Sequence, residues 1–257
     1  RSIGALAGVE GQGEESSDSR QDLLMRRRSR PFIFVLGGVN GAGKSSVGGH
    51  LLTEHGLTWF NPDSYARALL ATHHVPLEDA NAAAWNFGRE QLAEAVAERK
   101  NFAFETTLGA STIPNLLIEA SATHDVAMWY CGLASVDLHL RRVKARVASG
   151  GHDIPEAKIR ERWAGSRRNL IRLLPHLARL QVFDNSAEAT RGRPVPAPVL
   201  LLEMTKARIL SPDPADPRQL GAIPDWARPV VEAAIRLQDR SRRRLMSIPA
   251  PTPRTQA

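Results

Sequence analysis

Residues 32–46 read F-I-F-V-L-G-G-V-N-G-A-G-K-S-S, an apolar run that leads directly into a glycine-rich loop. The segment from Gly38 to Ser45 matches G-x-x-x-x-G-K-[ST] at every fixed position, and an amphipathic stretch follows it. In a strand–loop–helix unit of this kind, backbone N–H groups and the positive end of the helix face phosphate oxygens. The stretch therefore predicts an α/β fold that binds a nucleoside triphosphate.

The residues of this loop are expected to divide the contacts with ATP and Mg²⁺ among them. Lys44 is predicted to reach the β- and γ-phosphates, and the Ser45 hydroxyl is the predicted metal ligand. The predicted cofactor-binding residues are Gly38, Asn40, Gly41, Ala42, Gly43, Lys44, Ser45 and Ser46. The alternative is a glycine-rich turn with a lysine by chance. It is disfavoured because the strand and the helical stretch lie where the motif requires them.

Composition limits the class of protein. The chain has 257 residues, 42% of them hydrophobic, which suffices for one substantial core with appendages. No stretch approaches the roughly 18 apolar residues of a membrane span, and the N-terminus lacks the apolar centre of a signal peptide. The single cysteine, Cys131, is predicted to be buried in a strand and excludes an internal disulfide. These features favour a cytoplasmic protein without membrane contact.

Strands and helices alternate along the chain, which predicts a parallel sheet with helices on both faces. The predicted strands are 32–36, 57–60, 102–105, 126–131, 181–184 and 199–202. The first predicted helix runs from the end of the glycine-rich loop to residue 54. The other predicted helices cover 64–71, 77–100, 112–122, 136–148, 155–180 and 224–246. The predicted domains are a disordered extension over 1–30 with Met25 as a candidate start, a nucleotide-binding domain over 31–210, and a C-terminal helix with a disordered tail over 211–257.

The net charge of +7 is concentrated in one segment. Residues 141–172 hold ten Lys and Arg against three acids, an excess of seven. A helical, arginine-rich lid over a triphosphate has such a composition, and so does a nucleic-acid-binding surface. Aromatic residues make up only 5% of the chain, without the aromatic–basic interleaving of a single-strand groove, so the lid is the favoured interpretation.

Polar side chains are predicted at the carboxyl ends of the strands, where ligands of such sheets bind. Asp63 follows the second predicted strand and is a candidate general base on an acceptor hydroxyl, although a helix N-cap is the alternative. Glu105 and Thr107 end the third strand, where they could bind an acceptor sugar or form a strand-end turn. Asp184 and Asn185 end the fifth strand, and a turn or cap is the favoured interpretation for them.

Within the lid segment, Arg142 and Arg146 are spaced i, i+4 and share a helix face. Arg160 and Arg162 follow a break at Gly150-Gly151. Cations on both sides of a flexible break are what a lid that closes on phosphates requires. The alternative is a surface helix hairpin with solvated arginines.

Together these motifs resemble the zeta toxin family of P-loop kinases. The matching stretches are the glycine-rich loop, N-P-D at 61–63, F-E-T-T at 104–107, and R-V-K-A-R-V-A-S-G-G-H-D-I-P at 142–155 with S-R-R-N-L behind it. The resemblance spans about residues 32–186. It implies a P-loop kinase-like sheet and transfer of the γ-phosphate of ATP to a hydroxyl of a nucleotide sugar, UDP-N-acetylglucosamine. It also implies a small helical antitoxin as a partner that obstructs the nucleotide site.

The resemblance also implies roles for individual residues. The implied catalytic residues are Asp63, Lys44 and Arg146, and Arg162 is added as a candidate lid cation. The predicted substrate-binding residues are Asn61, Glu105, Thr107, Glu90 (matched with a one-residue difference in spacing), His152 and Arg160. His152 stands where the family has a second lid arginine, so His152, Arg160 and Arg162 all remain candidates for that role. This departure leaves the acceptor open between UDP-N-acetylglucosamine, another nucleotide sugar, and another nucleotide or dinucleotide.

Two other functions compete with a small-molecule kinase. A nucleotide-gated nucleic-acid-binding module would use the basic segment 141–172, and its affinity would fall steeply with salt; a nucleic-acid partner is disfavoured. A GTPase is disfavoured because no N-K-x-D stretch follows the fourth or fifth strand. The adenine pocket is expected within Arg191 to Arg208.

Overall fold

The structure is a computed structural model that describes residues 30–48, 59–73, 75–151, 153–188 and 196–247. Its strands are β1 (Phe32–Gly37), β2 (Phe102–Thr106), β3 (Asp125–Gly132), β4 (Arg179–Asp184), β5 (Val199–Thr205) and β6 (Arg208–Ser211). Its helices are α1 (Lys44–Val47), α2 (Pro62–His73), α3 (Leu77–Glu98), α4 (Thr112–Ala120), α5 (Val136–Ala148), α6 (Glu156–Leu173), α7 (Pro217–Gly221) and α8 (Arg228–Met246). A 3₁₀ turn, Leu174–His176, follows α6.

The strands form one sheet in the order β2-β1-β3-β4-β5-β6. The first four strands of that order are parallel to one another, whereas β5 and β6 are antiparallel to their neighbours. The predicted α/β architecture is confirmed, and the sheet is mixed rather than wholly parallel. Between β5 and β6 the connection is a tight turn at Lys206 and Ala207, which allows only antiparallel pairing.

The edge beside β2 departs from the predicted strand 57–60. Of the described residues there, only Phe60 pairs with the sheet, through a single parallel bridge to Phe104. The rest of that prediction, and the predicted helix between 49 and 54, involve residues outside the described part of the chain. The bridge nevertheless brings the segment that begins at Asn61 to the carboxyl end of β2.

Successive side chains of each strand point to opposite faces of the sheet, and helices pack against the apolar side chains. Ile33 and Val35 of β1 face one side, where they join the main apolar core with Leu170 of α6 and Val230 of α8. Helix α8 also packs against β6, so the C-terminal segment contributes to the same core as β1. The domain boundary at residue 211 stays a prediction. No helix among the described residues is both long enough and apolar enough to cross a membrane.

The register of the parallel strands fixes where a ligand could meet the protein. Gly37 at the end of β1 is paired with Thr106 at the end of β2, and Gly132 of β3 is paired with Asp184 of β4. The loops that follow these four strands therefore leave the sheet at one edge. Ligands of such sheets bind at this edge.

Candidate functional site

The glycine-rich loop leaves β1 and enters α1 at the carboxyl edge of the sheet, as predicted. Gly43 has φ 80°, in the left-handed region that glycine tolerates. A Cβ at Gly43 would collide with the side-chain nitrogen of Asn185, which follows β4. That same Asn185 Nδ2 donates to the main-chain oxygen of Ala42 over 2.9 Å. The end of β4 therefore holds the loop in place, and the sequence had suggested only a turn or cap for Asn185.

A buried polar network lies directly under the loop. Lys44 Nζ is 3.2 Å from Glu105 Oε1, and the Ser45 hydroxyl donates to Glu105 Oε2 over 3.0 Å. The Asn61 amide donates to the same Oε2 over 3.2 Å. Glu105, predicted to bind the acceptor, therefore has both carboxylate oxygens directed at the phosphate loop and Asn61. Sequence motifs separated by up to 60 residues meet at this carboxylate.

The residues around Ser45 suit a Mg²⁺ ion held largely by phosphates and water. A hydroxyl and a carboxylate oxygen lie 3.0 Å apart, and both are hard oxygen ligands of the kind that Mg²⁺ prefers. Among the described residues, no three His, Cys, Asp or Glu side chains cluster to form an all-protein metal site. Mg²⁺ bound with nucleotide phosphates needs no such cluster. Ser45 and Glu105 are therefore the residues that could hold the ion.

Asp63 lies in the first turn of α2 and faces the lid. Its Oδ2 is 3.7 Å from a guanidinium nitrogen of Arg146, and each side chain is 38% exposed. The cap of this helix is Asn61, whose Oδ1 accepts from the Ser64 N–H over 3.2 Å. The capping role proposed as the alternative for Asp63 thus belongs to Asn61. The Asp63 carboxylate is left at an accessible position beside a cation.

Arg162 bridges the lid and the phosphate loop. Its guanidinium donates to Asn40 Oδ1 over 2.8 Å. Burial lowers the pKa of Arg162 below its usual value, while the negative charge of Asp63 acts in the opposite direction. Asp63 is therefore close enough to Arg162 for an electrostatic interaction. Asp63, Arg146, Arg162 and the loop residue Asn40 form one group.

His139 of α5 is a further contact of the loop, which the sequence gave no signal to find. Its Nδ1 lies 2.8 Å from the main-chain oxygen of Asn40 and, because a carbonyl only accepts, Nδ1 must donate. The side chain is buried, and burial lowers the pKa of His139 to about 4. The charges of Lys44 and Arg142 contribute to this lowering of the pKa, and the hydrogen bond to Asn40 acts against it. The imidazole is therefore neutral at neutral pH and fixes the loop through a single bond.

Several predicted site residues are not brought into this group. Glu90 on α3 is 65% exposed and contacts its neighbour Arg89. The side of α3 that faces Phe60 carries Gly88, and Glu90 lies on a different side of the helix. Arg160 pairs with Glu156 and Asp137 on the surface of the helix hairpin. His152, the Ser46 side chain and the first part of the expected adenine segment, 191–195, lie outside what the structure describes.

The basic segment 141–172 is largely engaged within the protein itself. Besides Arg146 and Arg162, the contacts are Arg141 with Glu188, Arg142 with the Ala187 carbonyl, Lys158 with Glu161, Arg160 with two acids, Arg167 with the Trp163 ring, and Arg172 with Asn115. The side chains of Arg141, Lys158 and Arg160 are 63%, 60% and 48% exposed, so these pairs lie at the surface. The segment reaches the glycine-rich loop through Arg162.

Cys131, at the end of β3, is buried as predicted. Burial raises the pKa of its thiol to about 12, and the nearby charge of Lys44 only partly offsets this effect. A thiol in this state is not a nucleophile at neutral pH. Cys131 is therefore a packing residue of the sheet and takes no chemical part in the site.

Comparison with known proteins identifies the fold and leaves the family open. No family model matches the chain. An uncharacterized protein of Haemophilus influenzae is 29% identical over 134 residues, which cover 49% of this chain and 88% of that protein.

Among solved structures, the AvrRxo1-ORF1:-ORF2 complex with ATP is similar with a TM-score of 0.55 and 13% identity, covering 82% of this chain and 81% of that one. Its native form gives a TM-score of 0.54 at 12% identity, covering 84% of this chain and 75% of that one. At these identities the likeness establishes a shared fold. The PezAT toxin–antitoxin system of Streptococcus pneumoniae is similar with a TM-score of 0.43 and 14% identity over 65% of this chain and 74% of that one, which is too loose to bear on function.

Proposed function

We propose that the protein is an ATP-dependent phosphotransferase that acts on a hydroxyl group of a small molecule. The observation that carries this proposal is the grouping of Asp63 with two lid arginines, one of which is bonded to the phosphate loop. A carboxylate and two guanidinium groups around a triphosphate site are the parts that phosphoryl transfer needs.

In this proposal the phosphate loop binds ATP. When ATP binds, Lys44 leaves Glu105 and pairs with the phosphates. The γ- and β-phosphates take Lys44 from its pairing with Glu105, at 3.2 Å in the present structure. Ser45 and Glu105 would hold Mg²⁺, which when bound would neutralise charge on the phosphates. In this proposal Glu105 therefore acts at the nucleotide, and Asn61 and Thr107 are the residues that contact the acceptor.

The chemical step places the acceptor hydroxyl between Asp63 and the γ-phosphorus. The hydroxyl oxygen forms the new bond to phosphorus, the bond between that phosphorus and the bridging oxygen of ADP breaks, and Asp63 takes the hydroxyl proton. Arg162 and Arg146 approach from the lid and stabilise charge on the phosphoryl group as it moves. Arg162 is the second lid cation in this scheme, because it contacts the loop whereas Arg160 is turned towards Glu156.

The proposed acceptor is a nucleotide sugar such as UDP-N-acetylglucosamine, with another nucleotide or a dinucleotide as the alternative. The resemblance of the 61–63, 104–107 and 142–155 motifs to zeta toxins supports it. The AvrRxo1-ORF1:-ORF2 complex, which shares the fold, was crystallised with ATP, in keeping with ATP as the donor. A small helical antitoxin is a proposed partner on the same motif grounds.

The test incubates the purified protein with Mg²⁺, ATP and a panel of nucleotide sugars, nucleotides and dinucleotides. Mass spectrometry should find one acceptor that gains a single phosphate. Asp63→Asn should lower this transfer by about 10²–10⁴-fold while ATP binding persists, because the variant loses only the proton acceptor. Transfer by Asp63→Asn at the wild-type rate would eliminate Asp63 as the base, and a panel with no phosphorylated product would contradict the proposed acceptors.

A further inference from the structure

One face of α6 is shaped around the loop that joins β2 to α4. Arg162, Gly165 and Asn169 are spaced i, i+3 and i+7, so they lie in a single stripe along the helix. All three contact residues 107–110, which we term the acceptor strap. The strap directly follows Glu105 and carries Thr107, the residue proposed to meet the acceptor.

The strap adopts a backbone conformation that requires support from outside. Leu108 is 1% exposed and has φ 53°, in the left-handed region that a residue with a side chain seldom occupies. Its N–H is bonded to Thr106 Oγ1 over 3.1 Å. Its carbonyl accepts from Asn169 Nδ2 over 2.7 Å, and the same Nδ2 donates to the Ala110 carbonyl over 3.1 Å. Asn169 therefore supports the strap on both sides of Gly109.

Close packing at Gly109 links the strap to Arg162. A Cβ at Gly109 would lie 2.6 Å from Cγ of Arg162, and a Cβ at Gly165 would collide with the Gly109 carbonyl. The strap and α6 can approach this closely only because both positions are glycine. The path of the Arg162 side chain towards Asn40 is thus set by where the strap lies.

The strap also determines how Thr107 is presented. Thr107 Oγ1 accepts from the Gly109 N–H over 3.4 Å, which leaves the hydroxyl hydrogen able to donate to a ligand. Since Asn169 bonds to the residues on either side of Gly109, it sets the position of this hydroxyl without touching the acceptor itself.

We infer that Asn169 is a positioning residue that holds the acceptor strap, and through it Thr107 and Arg162, in the geometry needed to bind and phosphorylate the acceptor. This inference rests on the proposed function, because it assigns Thr107 and Arg162 to a phosphoryl acceptor site. The two hydrogen bonds of Asn169 go to the strap and not to the glycine-rich loop, so its replacement should affect the acceptor more than ATP.

The test uses two variants, Asn169→Asp and Asn169→Ala. The aspartate has the same size but places a carboxylate against two carbonyl oxygens, and alanine removes both bonds without adding charge. Asn115→Asp is the control. Asn115 of α4 accepts a hydrogen bond from Arg172 of α6 at the protein surface, and a carboxylate at this position accepts equally well. Each lost bond contributes modestly, so together they should raise KM for the acceptor about tenfold.

Expected results are a raised acceptor KM and a lowered kcat in both Asn169 variants, with the Kd for ATP within about twofold of wild type. The Asn115→Asp control should match wild type throughout. An acceptor KM that stays at the wild-type value would overturn the inference. Equal losses of ATP and acceptor binding would also overturn it, because they would indicate general destabilisation.

Hydrogen exchange of the Leu108 and Gly109 amides tests the same inference without any substrate. Exchange at these two amides should accelerate in both Asn169 variants, while exchange at Ala103 within β2 stays unchanged. Unchanged exchange in the strap would refute the positioning role even if the enzyme is active. Accelerated exchange in a protein that phosphorylates no acceptor would instead leave the support of the strap intact and locate the failure in the proposed function.

Discussion

The Lys44 ammonium group lies 3.2 Å from the Glu105 carboxylate, and both side chains are nine-tenths or more buried. A buried charge that loses its only counter-charge is strongly destabilising. The charge of the loop lysine is therefore balanced within the protein, and under the proposed function the phosphates of ATP would compete with Glu105 for it.

Glu105→Gln should lower the free energy of unfolding of the nucleotide-free protein by about 3–5 kcal/mol, since the buried Lys44 side chain loses its counter-charge. ATP added without Mg²⁺ should recover more stability in this variant than in wild type, because its phosphates replace the missing charge beside Lys44. Thermal unfolding with and without the nucleotide measures both effects. Glu161→Gln removes an exposed pair with Lys158 and should change neither. Equal stabilities of Glu105→Gln and wild type would show that the pair does not form in solution.

Replacement of the two candidate lid arginines of α6 should have unequal effects. Arg162→Ala should lower turnover about 10³-fold, because an arginine that meets transition-state charge contributes on this scale. Arg160→Ala should stay within about threefold of wild type, because that side chain pairs with Glu156 and Asp137 away from the loop. Steady-state kinetics with a saturating acceptor decide between them. A larger loss for Arg160→Ala would reassign the second lid cation.

His139 should make the stability of the protein depend on pH. Its pKa is about 4 in the folded protein against an ordinary value of 6.5. As the pH falls from 6.5 to 4, the unfolded chain takes up a proton at this residue and the folded protein does not. The free energy of unfolding should therefore fall by up to about 3 kcal/mol across that interval.

His139→Asn preserves a donor for the Asn40 carbonyl and does not titrate in this range. Urea unfolding at a series of pH values should give a flatter profile for this variant than for wild type. Profiles of identical slope would show that another group causes the pH dependence. The Kd for ATP should stay close to wild type in His139→Asn, because the bond to the loop is retained.

Two glycines with similar backbone angles should respond differently to alanine. Gly43 has φ 80° and Gly150 has φ 91°, so alanine introduces comparable backbone strain of about 1–2 kcal/mol at each. A Cβ at Gly150 meets no atom within 4 Å, whereas at Gly43 it collides with Asn185. Gly43→Ala should therefore weaken ATP binding by at least about tenfold, and Gly150→Ala should leave it unchanged. Calorimetric titration with ATP compares the two, and equal affinities would argue against the role of Asn185 in shaping the loop.

The phosphate loop could be predicted from sequence because its residues are contiguous and its spacing is dictated by the phosphate group. The same holds for most helices and strands, whose periodicities of 3.6 and 2 are local properties. Glu105 could be assigned to the edge of the sheet because it stands near the end of an apolar strand, whereas Asp63 reaches the same edge through the single bridge of Phe60 to Phe104. What each carboxylate contacts could not be predicted, since Glu105 turned out to face Lys44 and not an open acceptor pocket.

The hairpin of β5 and β6 was only half predicted. Val199–Thr205 carries a clear apolar run, but Arg208–Ser211 is four residues long with a single buried hydrophobic residue, Ile209. A strand this short is formed by its partner β5 and by the burial of Ile209 in the main core. Its own sequence carries too little pattern to distinguish it from a turn.

The sequence by itself determined that this chain forms an α/β sheet with a glycine-rich loop, followed by acids at the strand ends and arginines in a helical segment. Only the tertiary structure decided which of these meet. Arg162 and Asn40 are 122 residues apart in the chain, His139 and Asn40 are 99 apart, and Asn169 and Leu108 are 61 apart. Such contacts depend on how α5 and α6 dock against the sheet. Docking is set by the packing of the whole core, so no local pattern records which side chain will reach the loop.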